Sequence, residues 1–455
     1  MNTQKLFLIF ILFVIFAIAG WFLIGCPPFS QCPGTRFNPP KPKGVSLKFI
    51  GPFDNASEWN KIISKFNAYK RKPENGFISV NISYERICNP ICDTVDYEEV
   101  IKKRQFEKKG PNIFMIFNTW LPRYENKLMP MPKGMMSVNQ FKETFVKVAA
   151  DDLIKNEKIY ALPFYIDTLA LFYNEDKFIN ENYIDEYPKN WNEFKDYVEK
   201  LTKFDEDGNI KVAGAAFGGG SNIARSQDLL MLLVMQNNMK YGGNIASFNS
   251  PGSVPAIEFY TSFTNPKKRF YTWNEDQMYS IDAFTQRKAA MMINYSYGIQ
   301  NVIDKTENTL NFKIAPIPQL DKDNKVNYAN YWVPVVPKYA PCAAEKGVSV
   351  NCQDLAWEFL NFAAQKENAR LYLDVSNKPA ANKDLAMEQF SNHYDIRSQF
   401  AGQVFTAKSW NHPDTFKSDK YLDEMINSLI TTDENKKKSI EEAMEIVKRY
   451  VKGTN

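Results

Sequence analysis

The feature that most constrains the fold is an alternation of short apolar runs with helical segments, which begins at residue 45. Val45–Ile50 and Phe77–Tyr84 have the composition of strands, and Asn112–Phe117 is a continuous apolar run typical of a strand buried on both faces. A helical segment lies in each interval, the second at Asp96–Lys108. Strands that alternate with helices in this way predict an α/β fold with a parallel sheet.

The first helical segment illustrates the pattern. Asn55 or Ser57 can cap its N-terminus. Apolar residues then recur at helical spacing, which predicts one buried face, made of Trp59, Ile62, Ile63 and Phe66.

The second half of the chain repeats this logic. A strand at Leu169–Tyr173 is followed by a helix at Trp191–Phe204, where Asn190 and Glu193 form a start similar to a capping box. Asp205–Asn209 predicts a hairpin turn, because the spaced ligands of a calcium loop do not follow it.

Length and charge limit the classes of protein to which the chain can belong. A chain of 455 residues exceeds the roughly 250–300 residues that one hydrophobic core serves, so we expect two lobes. The net charge of +4 arises from 56 basic and 52 acidic residues and includes no basic block, so we expect no nucleic-acid partner.

The N-terminus predicts a membrane tether. Leu6–Ile24 is an uninterrupted apolar run whose helix would be about 28 Å long, close to the thickness of the hydrocarbon layer. It ends in Leu23-Ile24-Gly25-Cys26, which resembles a bacterial lipobox with Cys26 as the lipidated residue. We favour a retained anchor over a lipoprotein, and either places the rest of the chain outside the cytoplasm. The proline-rich segment 26–44 predicts an extended linker.

Six cysteines fall into three close pairs, which favours local disulfides and an oxidising compartment. If Cys26 carries a lipid, Cys32 loses its expected disulfide partner. The alternative to three disulfides is a set of unrelated, reduced cysteines. The predicted pairs are Cys26 with Cys32, Cys88 with Cys92, and Cys342 with Cys352.

Signatures of catalysis are scarce. The chain has two histidines, His393 and His412, and no Gly-x-Ser-x-Gly motif, so a serine hydrolase is not expected. Gly218–Ser221 lacks the spacing of a phosphate or dinucleotide loop and predicts a flexible loop. We therefore expect no metal, no cofactor and no enzyme activity. Carboxylate pairs among 52 acidic residues keep a carbohydrate-active hydrolase as an alternative.

Aromatic residues make up 14% of the chain and recur at strand ends beside amides and carboxylates. Aromatic faces cover the apolar patches of a sugar ring, while carboxylate, amide and guanidinium groups bond its hydroxyls. This composition favours a carbohydrate ligand, although most aromatic residues of a large protein lie in its core.

A series of motifs, in order, resembles the family 1 extracellular solute-binding proteins of sugar-type ABC transporters, to which maltose-binding protein belongs. The resemblance extends over Val45–Tyr450. The sequence departs from the family pattern at Gln286-Arg287, where a glycine is usual, and in two cysteine-flanked insertions. The motifs are YALPFYIDTLALFYNEDKF at 160–178, PKNWNEF at 188–194, AFTQRKAAMMIN at 283–294, IAPIP at 314–318, YWVPVVP at 331–337 and AWEFL at 356–360.

The resemblance implies a two-lobed periplasmic-binding-protein-like fold of type II, whose lobes are joined by crossing hinge strands. It places the crossings near Pro163, near Trp332 and Pro334, and at Asp374–Lys378. With the tether, the predicted domains are 1–25 as signal or transmembrane anchor, 26–44 as linker, 45–163 with 334–373 as lobe one, and 164–333 with 374–455 as lobe two.

The resemblance also implies a ligand site in the cleft between the lobes. Asp167 would accept hydrogen bonds from sugar hydroxyls, Arg225 would donate to them, and Trp332 with Tyr295 would stack on the ring. The predicted ligand-binding residues are Phe53, Asp54, Asn118, Trp120, Tyr165, Asp167, Asn222, Arg225, Tyr295, Tyr297, Tyr331, Trp332 and Trp410.

The functional expectation is a monomeric receptor, tethered at the extracytoplasmic face of the cell membrane, that closes on an oligosaccharide and presents it to the permease subunits of an ABC importer. Two alternatives stay open. One is the carbohydrate-active hydrolase, and the other is a surface adhesin or sensor that kept the fold without transport.

Overall fold

The computed structural model describes residues 42–88, 94–106, 110–177, 186–241, 244–245, 247–410 and 415–452. The chain divides into two units, Met1–Lys43 and Gly44–Asn455. The predicted anchor at Leu6–Ile24 and almost all of the linker lie outside the described residues, as do Cys26, Cys32, Cys92 and His412. Within the described ranges, no helix combines the length and the apolar character that crossing a membrane requires.

The strands are mostly short. Their bounds are β1 Lys43–Gly51, β2 Ile78–Arg86, β3 Ile113–Phe117, β4 Ile154–Lys155, β5 Lys158–Ile159, β6 Ala170–Asn174, β7 Lys203–Phe204, β8 Ile210–Val212, β9 Met291–Asn294, β10 Phe312–Ala315, β11 Asn327–Tyr328, β12 Trp332–Val335, β13 Ala343–Ala344 and β14 Ala407–Lys408.

Helices surround the sheets. Their bounds are α1 Ala56–Lys70, α2 Thr94–Phe106, α3 Leu121–Tyr124, α4 Val138–Thr144, α5 Lys147–Leu153, α6 Trp191–Leu201, α7 Ser226–Tyr241, α8 Ser253–Thr261, α9 Ser280–Thr285, α10 Tyr297–Thr306, α11 Cys352–Ala363, α12 Lys366–Ser376, α13 Lys383–Ser391, α14 Ser398–Gln403, α15 Thr415–Ile430 and α16 Ile440–Lys452.

The first sheet has five strands, with β12, β3, β1 and β13 in order and β2 paired with β1. β1 and β3 run parallel, as the strand and helix alternation predicts. β12 pairs antiparallel with β3 because it enters from the opposite direction, and it places Trp332 opposite Phe117. Asn55 stands at the N-cap position of α1, yet it makes no capping bond there and its side chain accepts from Arg86 instead.

The prediction of a parallel sheet in the second half of the chain is wrong for the strand at Leu169–Tyr173, which corresponds to β6. β6 pairs antiparallel with both β9 and β10. β9 and β10, which α10 connects, run in one direction, and β6 runs between them in the other. In the described part of this half, parallel pairing occurs between β11 and β14, and in isolated bridges of Asn190 with Gln319 and of Ala213 and Ala216 with residues beside and within β9.

Two hydrophobic clusters define the lobes. The first joins residues of 45–166 to residues of 329–407 and forms lobe one. The second joins residues of 169–328 to residues of 400–447 and forms lobe two. Each cluster therefore contains two separate parts of the sequence, and the chain passes between them at Asp167 and again between Tyr328 and Ala329.

These two passages lie side by side, and residues 379–380 of lobe one lie beside them. The crossing expected at Asp374–Lys378 is not observed, because Tyr372 and Ala380 both belong to the first cluster. Tyr165 pairs with Ala380 and Thr168 with Ala329 in antiparallel bridges. The backbone N–H of Ile166 donates to Pro379 O at 3.1 Å, and that of Asn330 donates to Asp167 O at 3.0 Å. Backbone hydrogen bonds therefore hold the junction together.

The structure corrects one local prediction and confirms another. α6 ends at Leu201 and not at Phe204, because the Thr202 hydroxyl, while donating to Val198 O, accepts from Gly214 N at 3.1 Å, and the chain then enters the β7–β8 hairpin. The hairpin turn at Asp205–Asn209 is confirmed by the bond from Asp205 N to Asn209 O at 2.9 Å.

The flexible loop predicted at Gly218–Ser221 is a tightly packed segment. A Cβ on Gly218, which has a φ of +94°, would lie 2.8 Å from Tyr260 O. One on Gly220 would lie 2.0 Å from the side chain of Asn427. Gly220 is required because a neighbouring side chain occupies the space that a Cβ needs, and Gly218 is required both for that reason and for its positive φ.

The structure contains a disulfide between Cys342 and Cys352, whose Cα atoms are 5.7 Å apart. It closes a loop in which β13 pairs antiparallel with β1 at the sheet edge. Cys88 is also disulfide-bonded. Its expected partner lies outside the described residues, as does the first predicted pair.

A buried carboxylate ties the junction of the lobes. Asp152 Oδ2 accepts hydrogen bonds from Asn118 Nδ2 at 2.8 Å, Tyr331 Oη at 2.8 Å and Ser409 Oγ at 2.7 Å. Burial raises the pKa of Asp152, although these three donors oppose the shift. Three segments distant in sequence therefore meet on one oxygen atom.

We predict that Asp152→Ala lowers the free energy of unfolding by about 3–5 kcal/mol, because it leaves three buried donors without an acceptor. Urea denaturation measures the change. The control is Asp151→Ala, which removes an exposed partner of Lys147 and should cost less than about 1 kcal/mol. Similar losses in both variants would contradict the role given to Asp152.

Candidate ligand-binding site

A cavity of about 390 Å³ opens where the two lobes meet. Its volume lies in the roughly 300–1,000 Å³ range of small-molecule sites. Lobe one contributes the loop after β1, the end of β3 and the start of β12, while lobe two contributes the loops before α7 and α10. The lining residues are Pro52, Phe53, Asp54, Met115, Phe117, Tyr165, Asp167, Arg225, Tyr295, Tyr297, Asn330, Trp332 and Lys378.

Most of the predicted site residues are brought together here. Those that line the cavity are Phe53, Asp54, Tyr165, Asp167, Arg225, Tyr295, Tyr297 and Trp332. The cavity thus combines a loop of lobe one, the junction and two loops of lobe two, which are distant from one another in sequence.

The other predicted residues lie outside the lining. Asn118 and Tyr331 are buried, and both side chains donate hydrogen bonds to the carboxylate of Asp152. Asn222 holds a loop, because its Nδ2 donates to Asn274 O at 2.8 Å and to Gln277 O at 3.0 Å. Their polar groups serve the protein's own backbone and junction.

Two predicted tryptophans are also absent from the lining. Trp120 is 2% exposed and packs edge-on against Trp332, with ring centroids 5.4 Å apart. Trp410 is 5% exposed and belongs to the core of lobe two. Trp120 therefore supports the ring of Trp332 and does not itself line the cavity.

Five lining residues were not predicted from the sequence. Met115 and Phe117 lie on one face of β3 at alternate positions, and that periodicity was a usable signal. Lys378 carried no local signal, because its partner Asp54 is 324 residues away. The remaining two are Pro52 and Asn330.

Trp332 is the centre of the wall of lobe one. Its ring is 8% exposed, and four aromatic neighbours meet it at angles of 74–89°. Such edge-to-face contacts fix the ring and leave little freedom to lose when a ligand binds. The centroid distances are 5.1 Å to Phe117, 5.4 Å to Tyr97, 5.4 Å to Trp120 and 5.9 Å to Phe53.

An ion pair lies beside this wall. Lys378 Nζ donates to Asp54 Oδ1 at 2.6 Å and lies 4.3 Å from the ring centroid of Tyr165. Asp54 Oδ2 also accepts from Trp59 Nε1 and from Tyr372 Oη. Asp54 joins the loop after β1 to the stretch that follows α12.

Asp167 occupies the passage between the lobes. Its Oδ1 accepts from the N–H groups of Thr168 and Ser296, each at 3.0 Å, and its Oδ2 accepts from Ser296 Oγ at 2.8 Å. Burial raises its pKa to about 6, although the three donors oppose the shift. The expected acceptor for sugar hydroxyls is therefore already bonded to the protein.

Arg225 was expected to donate to sugar hydroxyls. It adopts a left-handed φ of 56°, and Nε and Nη2 form a bidentate pair with Asp228 at 2.8 and 2.9 Å. Nη1 donates to Asp419 at 3.1 Å. Asp228 also accepts from Tyr295 Oη at 2.6 Å and from Asn330 Nδ2 at 3.3 Å. One buried carboxylate thus organises the wall of lobe two.

Tyr295 and Tyr297 complete that wall. Their rings stack with centroids 5.9 Å apart and an interplanar angle of 28°. Tyr295 is buried, whereas Tyr297 is 48% exposed at the start of α10. The cleft therefore has aromatic rings on both sides, Trp332 and Phe53 from lobe one and the two tyrosines from lobe two.

Comparison with known proteins identifies the family. The profile of the bacterial extracellular solute-binding proteins matches residues 58–370. The chain belongs to this family.

The curated relatives include a maltotriose-binding protein of Pyrococcus abyssi, 21% identical over 310 residues that make up 65% of this chain and 60% of the relative. Another is the maltodextrin-binding protein MdxE of Bacillus subtilis, 28% identical over 270 residues, 55% of this chain and 56% of the relative. The chain therefore spans less than two thirds of the length of either.

Solved structures agree in fold. A cyclo/maltodextrin-binding protein complexed with maltotetraose superimposes with a TM-score of 0.67 at 15% identity, over 89% of this chain and 97% of that one. The maltose-binding protein MalE of Listeria monocytogenes gives a TM-score of 0.63 at 16% identity, over 90% and 98%. The predicted two-lobed α/β fold is confirmed.

We predict that Asp167→Asn changes the pH dependence of stability in the ligand-free protein. A raised pKa means that the folded state binds the proton more tightly, so the wild type loses stability as pH rises from about 4 to about 6. The variant lacks this loss, and its stability relative to wild type should rise by up to about 1.4 kcal/mol per pH unit in that window. Urea denaturation at pH 4, 5, 6 and 7 measures it. A difference independent of pH would contradict the burial of Asp167.

Proposed function

We propose that the protein captures a maltodextrin-type oligosaccharide in the cleft between its lobes and releases it chemically unchanged. The observation that carries this proposal is the pair of aromatic walls that face each other across the passage between the lobes. Such walls suit the apolar faces of sugar rings. The names of the two curated relatives, which bind maltotriose and maltodextrin, point to the same ligand class.

The proposal extends to location and partners. The apolar run Leu6–Ile24 would tether the chain to the cell membrane, with the lobes at the extracytoplasmic face. The protein would act as a monomer and deliver the closed, loaded form to the permease subunits of an ABC importer. Closure would be a rotation of the lobes about the three adjacent stretches of the junction.

Calorimetric titration of the full chain in a non-glycosidic detergent tests ligand capture, since a maltoside detergent would compete. Maltose, maltotriose and maltotetraose are the ligands, and amino acids, short peptides and polyols are the controls. We expect saturable binding of the maltodextrins with recovery of intact sugar by chromatography. Glucose or shortened products would favour the hydrolase alternative. If none of the compounds bound, the result would favour the adhesin or sensor.

We predict that Trp332→Ala weakens maltotriose binding by about 1–3 kcal/mol, as expected when a fixed aromatic ring is removed from the centre of a site. Tyr394→Ala is the control, because that ring is fully exposed on another surface of the protein and its loss should leave the dissociation constant unchanged. Both variants are compared with wild type by calorimetry. Equal affinities for wild type and Trp332→Ala would remove this ring from the site.

The form of the tether is tested by the intact mass of the protein extracted from membranes. A retained anchor predicts a mature chain that still contains Leu6–Ile24. A chain that begins at Cys26 with a lipid adduct would establish the lipoprotein instead. Recovery in the soluble fraction without either feature would overturn the tether.

A further inference from the structure

The polar side chains that line the cleft are largely occupied by the protein itself. Asp54 and Lys378 bond each other, and Asp167 accepts from three donors. Arg225 is held by two carboxylates. These groups retain little capacity for ligand hydroxyls.

The remaining polar side chains are occupied in part. Asn330 and Tyr295 both donate to Asp228, and Tyr165 Oη accepts from Trp332 N at 3.2 Å. For Tyr297 Oη, the described part of the chain provides no hydrogen-bond partner. The polar lining therefore stabilises the shape of the cleft more than it offers bonds to a ligand.

The surface left to a ligand is apolar. A hydroxyl buried there gives up its bonds to water without replacement, which opposes binding, whereas a buried apolar group favours it. The surfaces concerned are Pro52, Phe53, Met115, Phe117 and Trp332, with the ring faces of Tyr165, Tyr295 and Tyr297.

We propose that the cleft selects a glycoside that carries an apolar group, either an aryl substituent or a deoxygenated ring face, and packs that group against Met115 and Phe117. The inference rests on the proposed function, because it takes carbohydrate binding as given and specifies the class of glycoside.

The end of β3 is suited to such a group. Met115 and Phe117 are two positions apart and present their side chains on one face. A thioether adapts its shape to an aromatic edge, and the Phe117 ring is already held by Trp332 at 5.1 Å. Neither side chain offers a strong hydrogen bond, so a hydroxyl-rich ring face at this place finds only apolar contact.

Two ligands that share one sugar and differ in the aglycone test this inference. Methyl α-maltoside and 4-nitrophenyl α-maltoside are titrated into the full chain in a non-glycosidic detergent. We expect the nitrophenyl glycoside to bind at least about 10-fold more tightly, from the apolar area its ring buries. Equal or weaker binding of the nitrophenyl glycoside would overturn the inference and leave the proposed function standing. Failure of both glycosides and of maltotriose to bind would overturn both.

A variant locates the apolar group. Phe117→Ser should reduce the ratio of the two dissociation constants at least about threefold, while Tyr339→Ala, at a side chain 90% exposed, should leave it unchanged. Circular dichroism verifies folding, and Met115→Gln replaces the first variant if that one does not fold. An unchanged ratio in a folded variant would overturn the placement against β3.

Discussion

The structure depends on the way the chain passes between its lobes. Three stretches distant in sequence lie side by side, joined by the bonds from Ile166 N to Pro379 O and from Asn330 N to Asp167 O. Asp152 reinforces the junction by accepting from three side chains on one oxygen. Because each lobe contains non-contiguous parts of the sequence, the chain must pass through the junction to complete each core. The cleft is thus a direct result of the connectivity.

The cleft combines rigid apolar walls with carboxylates that are bonded inward. Asp228 holds Arg225, Tyr295 and Asn330, while Asp54 holds Lys378. This arrangement keeps the charges paired in a poorly hydrated space, where an unpaired charge would be costly. It also limits reorganisation upon binding, because the aromatic rings are already held by their neighbours.

The fold could be predicted from the sequence to a large extent. The apolar runs gave β1 and β3, and the order of motifs gave the two-lobed architecture, because periodicity and motif spacing are local signals. Local signals do not record which stretch pairs with which, so the antiparallel β6 and the packed glycines at 218–220 were missed. The same limit applies to the residues that line the cavity. Trp332 lies in a recognisable motif and was predicted, whereas Lys378 was not, because its partner Asp54 is distant in the chain.

The proposed ligand site lies between the two aromatic walls at the junction of the lobes, and a crystal structure of the protein grown with maltotriose would locate the sugar. We expect sugar density in the cleft, with one ring stacked on Trp332 and facing Tyr295 and Tyr297. Density on any other surface, or an empty cleft under saturating sugar, would contradict it.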